Sequence, residues 1–275
     1  MIKTTIDSPI GVFDSGVGGL TVLKAIRARL PGENLVYLGD TARLPYGTKS
    51  PQSVLRYARA AVAHLRQRPI KLLVVACNTA SAVALSDLRR ELAPLPVIGV
   101  VEPGAAAAVA RCPASRHLVL ATEATVRLGA YGNAIRALDA RATVQELACE
   151  MLVALAEEGW AHGSVAEAII SKYLLPILGS EQEKRPDSLI LGCTHFPLLQ
   201  DAIRRVAGAQ ISITDSATTT AAVVARELKK AKLLRRGTAA QMRLLATDGA
   251  RRFARVGGDF LGAGLAVDDI ELVDL

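Results

Sequence analysis

Short apolar runs rich in β-branched residues alternate with helical patterns along almost the whole chain of 275 residues. This alternation is typical of parallel strands joined by crossover helices. The pattern predicts strands over residues 10–13, 35–38, 72–76, 97–101, 117–121, 143–147, 189–191, 211–214, 242–246 and 270–273. We therefore predict an α/β fold with mainly parallel sheets flanked by helices.

Two helix starts carry capping signals. Ser50 stands before Pro51, an N-cap residue followed by proline in the first turn. Ser164 is followed three residues later by Glu167, the spacing of a capping box. We predict a helix beginning at each serine.

Two segments of the chain resemble each other. Residues 74–79 and 190–195 each form a buried strand pattern that ends in cysteine, then a small polar residue, then a helical pattern. Such a pair indicates two similar α/β halves, although one pair does not demonstrate a repeat.

Composition narrows the class of protein. With 51% apolar and 21% charged residues, the chain can fill a large core, which excludes global disorder. Aromatic residues make up only 4%, which argues against stacking surfaces for single-stranded nucleic acid. No run of 18 apolar residues occurs and Met1 to Pro9 is short and polar, so we predict no membrane span and no secretory signal. A cytoplasmic location is expected.

The positive charge of the chain is concentrated near its end. Residues 226–255, called the basic segment below, carry ten Lys or Arg and two acidic residues. This segment fits either an anion-attracting patch or a solvated face of two helices. The second interpretation is favoured, because no base-reading module or interleaved aromatic residues accompany the charge.

Cysteine spacing excludes two classes of site. Cysteines stand at positions 77, 112, 149 and 193, without a CxxC pair, so neither a zinc knuckle nor a small disulfide scaffold is predicted. Reduced thiols are expected, and Cys112 and Cys149 are interpreted as small buried hydrophobic residues.

A glycine-rich turn, Asp14 to Gly19, follows the first predicted strand. A dinucleotide fingerprint would need glycine at position 21, where the chain has Thr21. Asp40, at the end of the second strand, keeps a nicotinamide-dependent reductase open as an alternative. Otherwise the turn offers backbone N–H groups and Ser15 to a small anion such as a carboxylate, or serves only close helix packing.

Cys77 and Cys193 both follow strands and precede helical patterns, where a helix N-terminus favours the thiolate. Each has a titratable helper, Asp14 at a neighbouring strand end and His195 in the same loop. Two acid/base groups on opposite faces of a carbon are what inversion of a stereocentre by proton transfer requires. The donors suited to stabilising the carbanion are Ser15, Asn78, Thr79 and Thr194. No cofactor motif is needed or found.

With these motifs the chain resembles the glutamate racemases, cofactor-independent enzymes that supply D-glutamate for bacterial peptidoglycan. The resemblance runs from about residue 10 to 217 and rests on five segments in the family's order. These are residues 13–20, 45–50, 76–81, 101–105 and 191–198.

The resemblance implies a role for each matching residue. Cys77 would serve the D-enantiomer with Asp14, and Cys193 the L-enantiomer with His195. Glu157 would lie near the second thiol, although Glu150 and Ala154 replace family prolines in that segment. The implied glutamate pocket consists of Asp14, Ser15, Pro45, Tyr46, Gly47, Asn78, Thr79, Thr122, Thr125, Thr194 and His195. No metal or cofactor is implied.

The resemblance also implies two pseudo-symmetric domains facing across a cleft that holds the active site. We place the first at residues 1–99 plus 213–275 and the second at 100–212. A homodimer is expected, and contact of the basic segment with nucleic acid or topoisomerase complexes is a further hypothesis. A racemase of aspartate or another small amino acid remains the alternative, because the motifs specify proton transfer better than side-chain length.

Overall fold

Two parallel sheets form the framework of the protein. The computed structural model describes residues 4–179, 185–237 and 239–275. Within these ranges the strands are β1 (Ile10–Asp14), β2 (Leu35–Gly39), β3 (Leu72–Val75), β4 (Val97–Gly99), β5 (Arg116–Ala121), β6 (Thr143–Ala148), β7 (Ser188–Gly192), β8 (Ser212–Asp215), β9 (Met242–Ala246) and β10 (Ile270–Leu272). The α/β prediction is confirmed, and each predicted strand is present with small shifts at its ends. β4, for instance, ends at Gly99 because Val101 already begins a helix.

Helices connect these strands. They are α1 (Leu20–Arg29), α2 (Pro51–Leu65), α3 (Asn78–Leu92), α4 (Val101–Arg111), α5 (Glu123–Arg127), α6 (Ala130–Leu138), α7 (Glu150–Glu157), α8 (Gly163–Leu178), α9 (Gln200–Ala207), α10 (Ser216–Lys230) and α11 (Ala250–Leu261). Short 3₁₀ helices cover Tyr46–Thr48, Phe196–Leu199 and Val267–Asp269. Among the described residues, no helix is long and apolar enough to cross a membrane.

One capping prediction is confirmed and the other is wrong. Ser50 caps α2, since its hydroxyl accepts the Ser53 N–H with Pro51 in the first turn. Ser164 is not a cap, because α8 begins at Gly163 with extended His162 at the N-cap. Glu167, the other half of the predicted capping box, instead forms an ion pair with Arg205 of α9.

The two sheets share one strand order. The larger sheet runs β10-β9-β2-β1-β3-β4 and the smaller runs β6-β5-β7-β8, with every pair parallel. The order β2-β1-β3-β4 is therefore repeated as β6-β5-β7-β8. The strand that precedes Cys77 (β3) and the strand that precedes Cys193 (β7) occupy equivalent positions, in keeping with two similar halves.

The central strands are buried on both faces. β1, β2, β3 and β7 are buried along their whole length, which is why each reads as a continuous apolar run rather than an alternating one. The edge strand β6 is partly exposed. One hydrophobic cluster contains residues of both sheets, such as Val12 and Leu189, so a continuous core joins the halves.

The predicted domain boundary falls inside a strand. β8 belongs to the smaller sheet and ends at Asp215, so sheet membership divides the chain after that residue rather than after residue 212. The division into domains stays a prediction. Its residues 1–3, 180–184 and 238 lie outside the described ranges.

The basic segment is distributed over several elements. Lys229 and Lys230 lie in the last turn of α10, where cations complement the helix dipole. Arg243 lies on β9 and is paired with Glu271 of β10. Residues Arg251, Arg252 and Arg255 lie on α11. Part of the segment thus has an ordinary structural explanation.

Candidate active site

The predicted site residues follow the central strands of both sheets. In each sheet the strand order reverses beside the first strand of its half, between β1 and β3 and between β5 and β7. Ligands bind at such switch points, outside the carboxyl ends of the strands. Asp14 and Cys77 follow one switch point, and Thr122 and Cys193 follow the other.

Cys77 is held at the N-terminus of α3. Its side chain is the N-cap and its sulfur accepts the Ala80 N–H at 3.4 Å. Burial and the nearby Asp14 together raise the pKa of the Cys77 thiol to about 12, against the lowering effect of the Ser15 hydroxyl. In this arrangement Cys77 is held as a neutral thiol.

Asp14 is the buried acid beside Cys77. Its Oδ2 accepts the Gly16 N–H at 2.9 Å, while Oδ1 is buried without a hydrogen bond among the described residues. Burial raises the pKa of the Asp14 carboxyl, against the lowering effect of the His195 charge. Asp14 therefore interacts electrostatically with a residue of the second thiol loop.

Cys193 has a different neighbourhood. Its sulfur lies 3.7 Å from Nδ1 of His195, and Nε2 of the same ring lies 3.0 Å from Oε1 of Glu157. Burial alone would lower the pKa of His195, but the Cys193 sulfur and the Glu157 carboxylate outweigh burial and raise it to about 10. The hydrogen bond to His195 in turn lowers the pKa of Glu157 to about 2. His195 thus lies between a carboxylate and a sulfur, and both neighbours favour its protonated form.

The glycine-rich turn packs directly on the second thiol loop. A Cβ atom added at Gly18 would lie 2.4 Å from Oγ1 of Thr194 and 2.5 Å from Nδ1 of His195. The Thr21 hydroxyl lies 2.9 Å from the Gly18 carbonyl oxygen and 3.0 Å from that of Thr194. Position 18 therefore needs glycine for a close approach between the two loops.

Three threonine hydroxyls, one of them in the first turn of α3 just after Cys77, join the two halves of the protein. Oγ1 of Thr79 lies 2.9 Å from that of Thr122 and 3.4 Å from that of Thr125. Gly47 also lies close to Thr122, since a Cβ atom added at Gly47 would lie 2.9 Å from the Cβ of Thr122. These hydroxyls lie at the N-terminus of α3, whose dipole favours an anion.

Asn78 presents an unused donor next to this cluster. Its Oδ1 accepts the Tyr131 hydroxyl at 2.8 Å, and its Nδ2 is buried without a hydrogen bond among the described residues. A buried amide without a partner is costly, so this group is poised for a ligand acceptor.

Tyr46 uses its hydroxyl inside the protein. The side chain is 1% exposed and donates to Oδ2 of Asp40 at 2.6 Å. Oδ1 of Asp40 accepts the Thr247 hydroxyl at 3.0 Å, and Arg43 lies 3.4 Å from Oδ2. Because both oxygens of Asp40 are occupied, the ribose-binding alternative loses its acid. Pro45 precedes Tyr46 and bounds the 3₁₀ turn that carries Gly47.

The departures near Glu157 form part of a regular helix. Glu150 begins α7, and its carboxylate accepts the N–H of Glu123 at the start of α5. Ala154 lies within α7, which ends at Glu157. The helix therefore carries Glu157 to His195 without the family's prolines.

Sequence reasoning missed three residues of the site. Thr21 is notable in the sequence only because it stands where a dinucleotide-binding motif has its third glycine. No sequence motif marks Tyr131. Arg252 was counted with the basic segment, yet its guanidinium lies 2.7 Å from Oε2 of Glu157. The sequence does contain one indication for Arg252: a cation in the first turn of a helix opposes the helix dipole, so a specific acidic partner is expected for it.

The chain is similar to known proteins in both sequence and fold. The chain matches the family described as Asp/Glu/hydantoin racemase over residues 11–224. A glutamate racemase of Geobacter metallireducens is 47% identical over 257 residues, covering 93% of each protein. A crystal structure of a glutamate racemase isoform from Bacillus anthracis matches with a TM-score of 0.90 at 36% identity, over 98% of each chain. That of a glutamate racemase from Francisella tularensis in complex with D-glutamate gives a TM-score of 0.89 at 32% identity, again over 98% of each chain.

Proposed function

The chain belongs to the glutamate racemases of the Asp/Glu/hydantoin racemase family, and from this premise we propose that it interconverts L- and D-glutamate by proton transfer between Cys77 and Cys193. The observation that carries the two-thiol proposal is the position of these cysteines after equivalent strands, with Cys193 contributing to the electrostatic environment of Cys77. Two sulfur groups near each other, one on each half, supply one acid/base group for each face of a carbon bound between them.

In the L-to-D direction, Cys193 acts as the base. The imidazolium of His195, 3.7 Å from the sulfur, stabilises a thiolate there. The thiolate takes the α-hydrogen of L-glutamate as a proton, which forms the Cys193 thiol and leaves the electron pair on the substrate's α-carbon. Cys77, held as a thiol, donates its proton to the opposite face and gives D-glutamate and a Cys77 thiolate.

In the reverse direction the two sulfur groups exchange roles. The Cys77 thiolate takes the α-proton of D-glutamate, and the Cys193 thiol donates to the other face. Asp14 and Ser15 are the groups that act on Cys77, whereas His195 and Glu157 act on the Cys193 side. Different neighbours on the two sides are expected for a substrate whose two faces are not equivalent.

The carbanion needs stabilisation of its carboxylate. The unpartnered amide of Asn78, the N-terminus of α3 and the hydroxyls of Thr79, Thr122 and Thr125 supply donors between the halves. Thr194, next to Cys193 in the chain, lies against Gly18. The relative from Francisella tularensis, crystallised with D-glutamate, supports a glutamate ligand for this set of groups.

Purified protein is expected to racemise either enantiomer of glutamate without an added cofactor. The reaction should reach equal amounts of both enantiomers from either side, because they have equal free energies in water. Chiral chromatography of the time course measures the rates, and aspartate assayed in parallel is expected to give a lower kcat/KM. Folded protein that leaves both glutamate enantiomers unchanged would overturn the proposal.

The proposed biological role is the supply of D-glutamate for peptidoglycan in the cytoplasm. This role follows from membership of the glutamate racemases. The homodimer and the contact of the basic segment with nucleic acid or topoisomerase complexes stay predictions.

A further inference from the structure

Arg252 and Glu157 form an ion pair between the two halves of the protein. Glu157 is the last residue of α7, which packs against α8 and the 3₁₀ helix Phe196–Leu199. Arg252 lies in the first turn of α11, which packs against α1 and β10. The guanidinium donates to Oε2 of Glu157 at 2.7 Å, while Oε1 of the same carboxylate lies 3.0 Å from His195. Each carboxylate oxygen thus has its own partner.

Helix stability does not explain this pair. A carboxylate at the C-terminus of α7 and a guanidinium at the N-terminus of α11 each oppose the dipole of their own helix. The explanation that accounts for Lys229 and Lys230 at the end of α10 therefore does not extend to Arg252. Arg252 is paired with Glu157, and the Glu157 carboxylate is stabilised by His195 as well as by Arg252.

Glu157 is more deeply buried than its partner Arg252. The Arg252 side chain is 52% exposed and that of Glu157 is 14% exposed. Together they line a cavity of about 180 Å³ that also touches Asp248 and Phe253. An ion pair with one exposed partner adds little to global stability, so a role of Arg252 has to be sought in the geometry of the buried carboxylate.

We propose that Arg252 is a positioning residue for the second thiol, because it fixes the Glu157 carboxylate against His195, whose ring lies 3.7 Å from the Cys193 sulfur. The proposal rests on the function proposed above. The charged and titratable groups that face His195 are Cys193 and Glu157 by hydrogen bond and Asp14 by its charge. Phe260 of α11 packs edge-on against the ring at 5.1 Å between centroids.

An Arg252 variant changes the pKa of His195 in one direction if Arg252 positions Glu157, and in the other direction if Arg252 acts on the ring only through its charge. Loss of a nearby positive charge would by itself raise the pKa of His195. If Arg252 positions Glu157, its loss loosens the carboxylate that helps to raise the pKa of His195, and that pKa falls. We expect the fall, because Glu157 is hydrogen-bonded to the ring whereas Arg252 acts on the ring through its ion pair with Glu157.

Arg252→Gln is the test variant. We expect kcat/KM for glutamate to fall about tenfold, equally from either enantiomer, as is typical when a partner that orients a functional group is removed. The pKa of His195 should fall in the same variant, measured from its imidazole NMR signals, with assignment from the missing signals of His195→Gln. Arg252→Lys retains the charge and should recover part of both losses.

Two controls make the experiment specific. Arg251→Gln removes the same charge from the neighbouring, exposed position of the same helix and should leave kcat/KM and the pKa of His195 unchanged. Arg252→Gln introduced into Glu157→Gln should have no further effect on kcat/KM, since coupled positions are not additive. Circular dichroism and thermal unfolding establish that each variant is folded.

The proposal requires both changes in folded Arg252→Gln. An unchanged kcat/KM, or a pKa of His195 that is unchanged or raised, would overturn it. A wild-type protein that does not racemise glutamate would overturn the proposed function instead. In that event the NMR comparison still reports whether Arg252 orients Glu157 against His195.

Discussion

Cys77→Ser and Cys193→Ser are each expected to lower kcat/KM for glutamate racemisation by about 10²- to 10⁴-fold, the range that a positioned acid or base contributes. A serine hydroxyl is a much weaker acid than a thiol and does not ionise near neutral pH, so the altered side can neither accept the α-proton nor readily donate one to the carbanion. Because inversion uses both faces in every turnover, each substitution should impair both directions. Initial rates from L- and D-glutamate, followed by chiral chromatography, measure the effect.

The other cysteines provide matched controls for this substitution. Cys112 is half-buried at the end of α4, and Cys149 is buried before α7. Cys112→Ser should leave kcat/KM within about twofold of wild type, since Cys112 lies outside the core and the candidate site, and its capping bond to Ala108 comes from the backbone N–H, which serine keeps. Near-normal turnover in either Cys77→Ser or Cys193→Ser would contradict the assignment of the two bases.

Gly18→Ala is expected to lower kcat/KM about 100-fold, because a displacement of about 1 Å at a catalytic group has an effect of that size. The added methyl group would overlap Thr194 and His195, at 2.4 and 2.5 Å. Neither side chain can swing into solvent, since both are buried. The glycine-rich turn and the second thiol loop must therefore separate, which moves Cys193 and His195 relative to Asp14 in the turn.

Gly16→Ala is the control within the same turn. An added Cβ at Gly16 would meet Leu44 at 3.4 Å, an ordinary contact, and alanine keeps the N–H that Asp14 accepts. We expect a much smaller loss of kcat/KM than for Gly18→Ala. Equal losses in the two variants would show that the turn, rather than its contact with Thr194 and His195, determines the effect.

The framework of the fold was predictable from local sequence. Buried parallel strands such as Leu72–Val75 and Ser188–Gly192 read as uninterrupted apolar runs, and Ser50 with Pro51 marks a helix start by local chemistry. Ser164 has a similar local sequence pattern, but the prediction that it caps a helix was wrong. Its partner Glu167 pairs with Arg205, a contact between helices that no local pattern reveals.

The parts of the site that join the two halves were not predictable in the same way. The sequence indicated Gly18 only as part of an anion-binding or packing turn, whereas its neighbours Thr194 and His195 come from a loop far along the chain. Tyr46 stays a predicted substrate-binding residue, and the hydrogen bond from its hydroxyl to Asp40 is a contact that the sequence did not indicate. Arg252 acts on Glu157 from α11, outside the segments that carried the resemblance.

Hydrogen isotope exchange in D₂O tests the two-thiol account most directly. Unlabelled L- or D-glutamate is incubated with the protein, and the α-deuterium of substrate and product is measured separately by mass spectrometry at early times. The account predicts that the product carries deuterium delivered by a solvent-exchanged thiol while the unreacted substrate stays unlabelled. A product that retains the original α-hydrogen, or a substrate labelled as fast as the product, would indicate a single base and contradict the account.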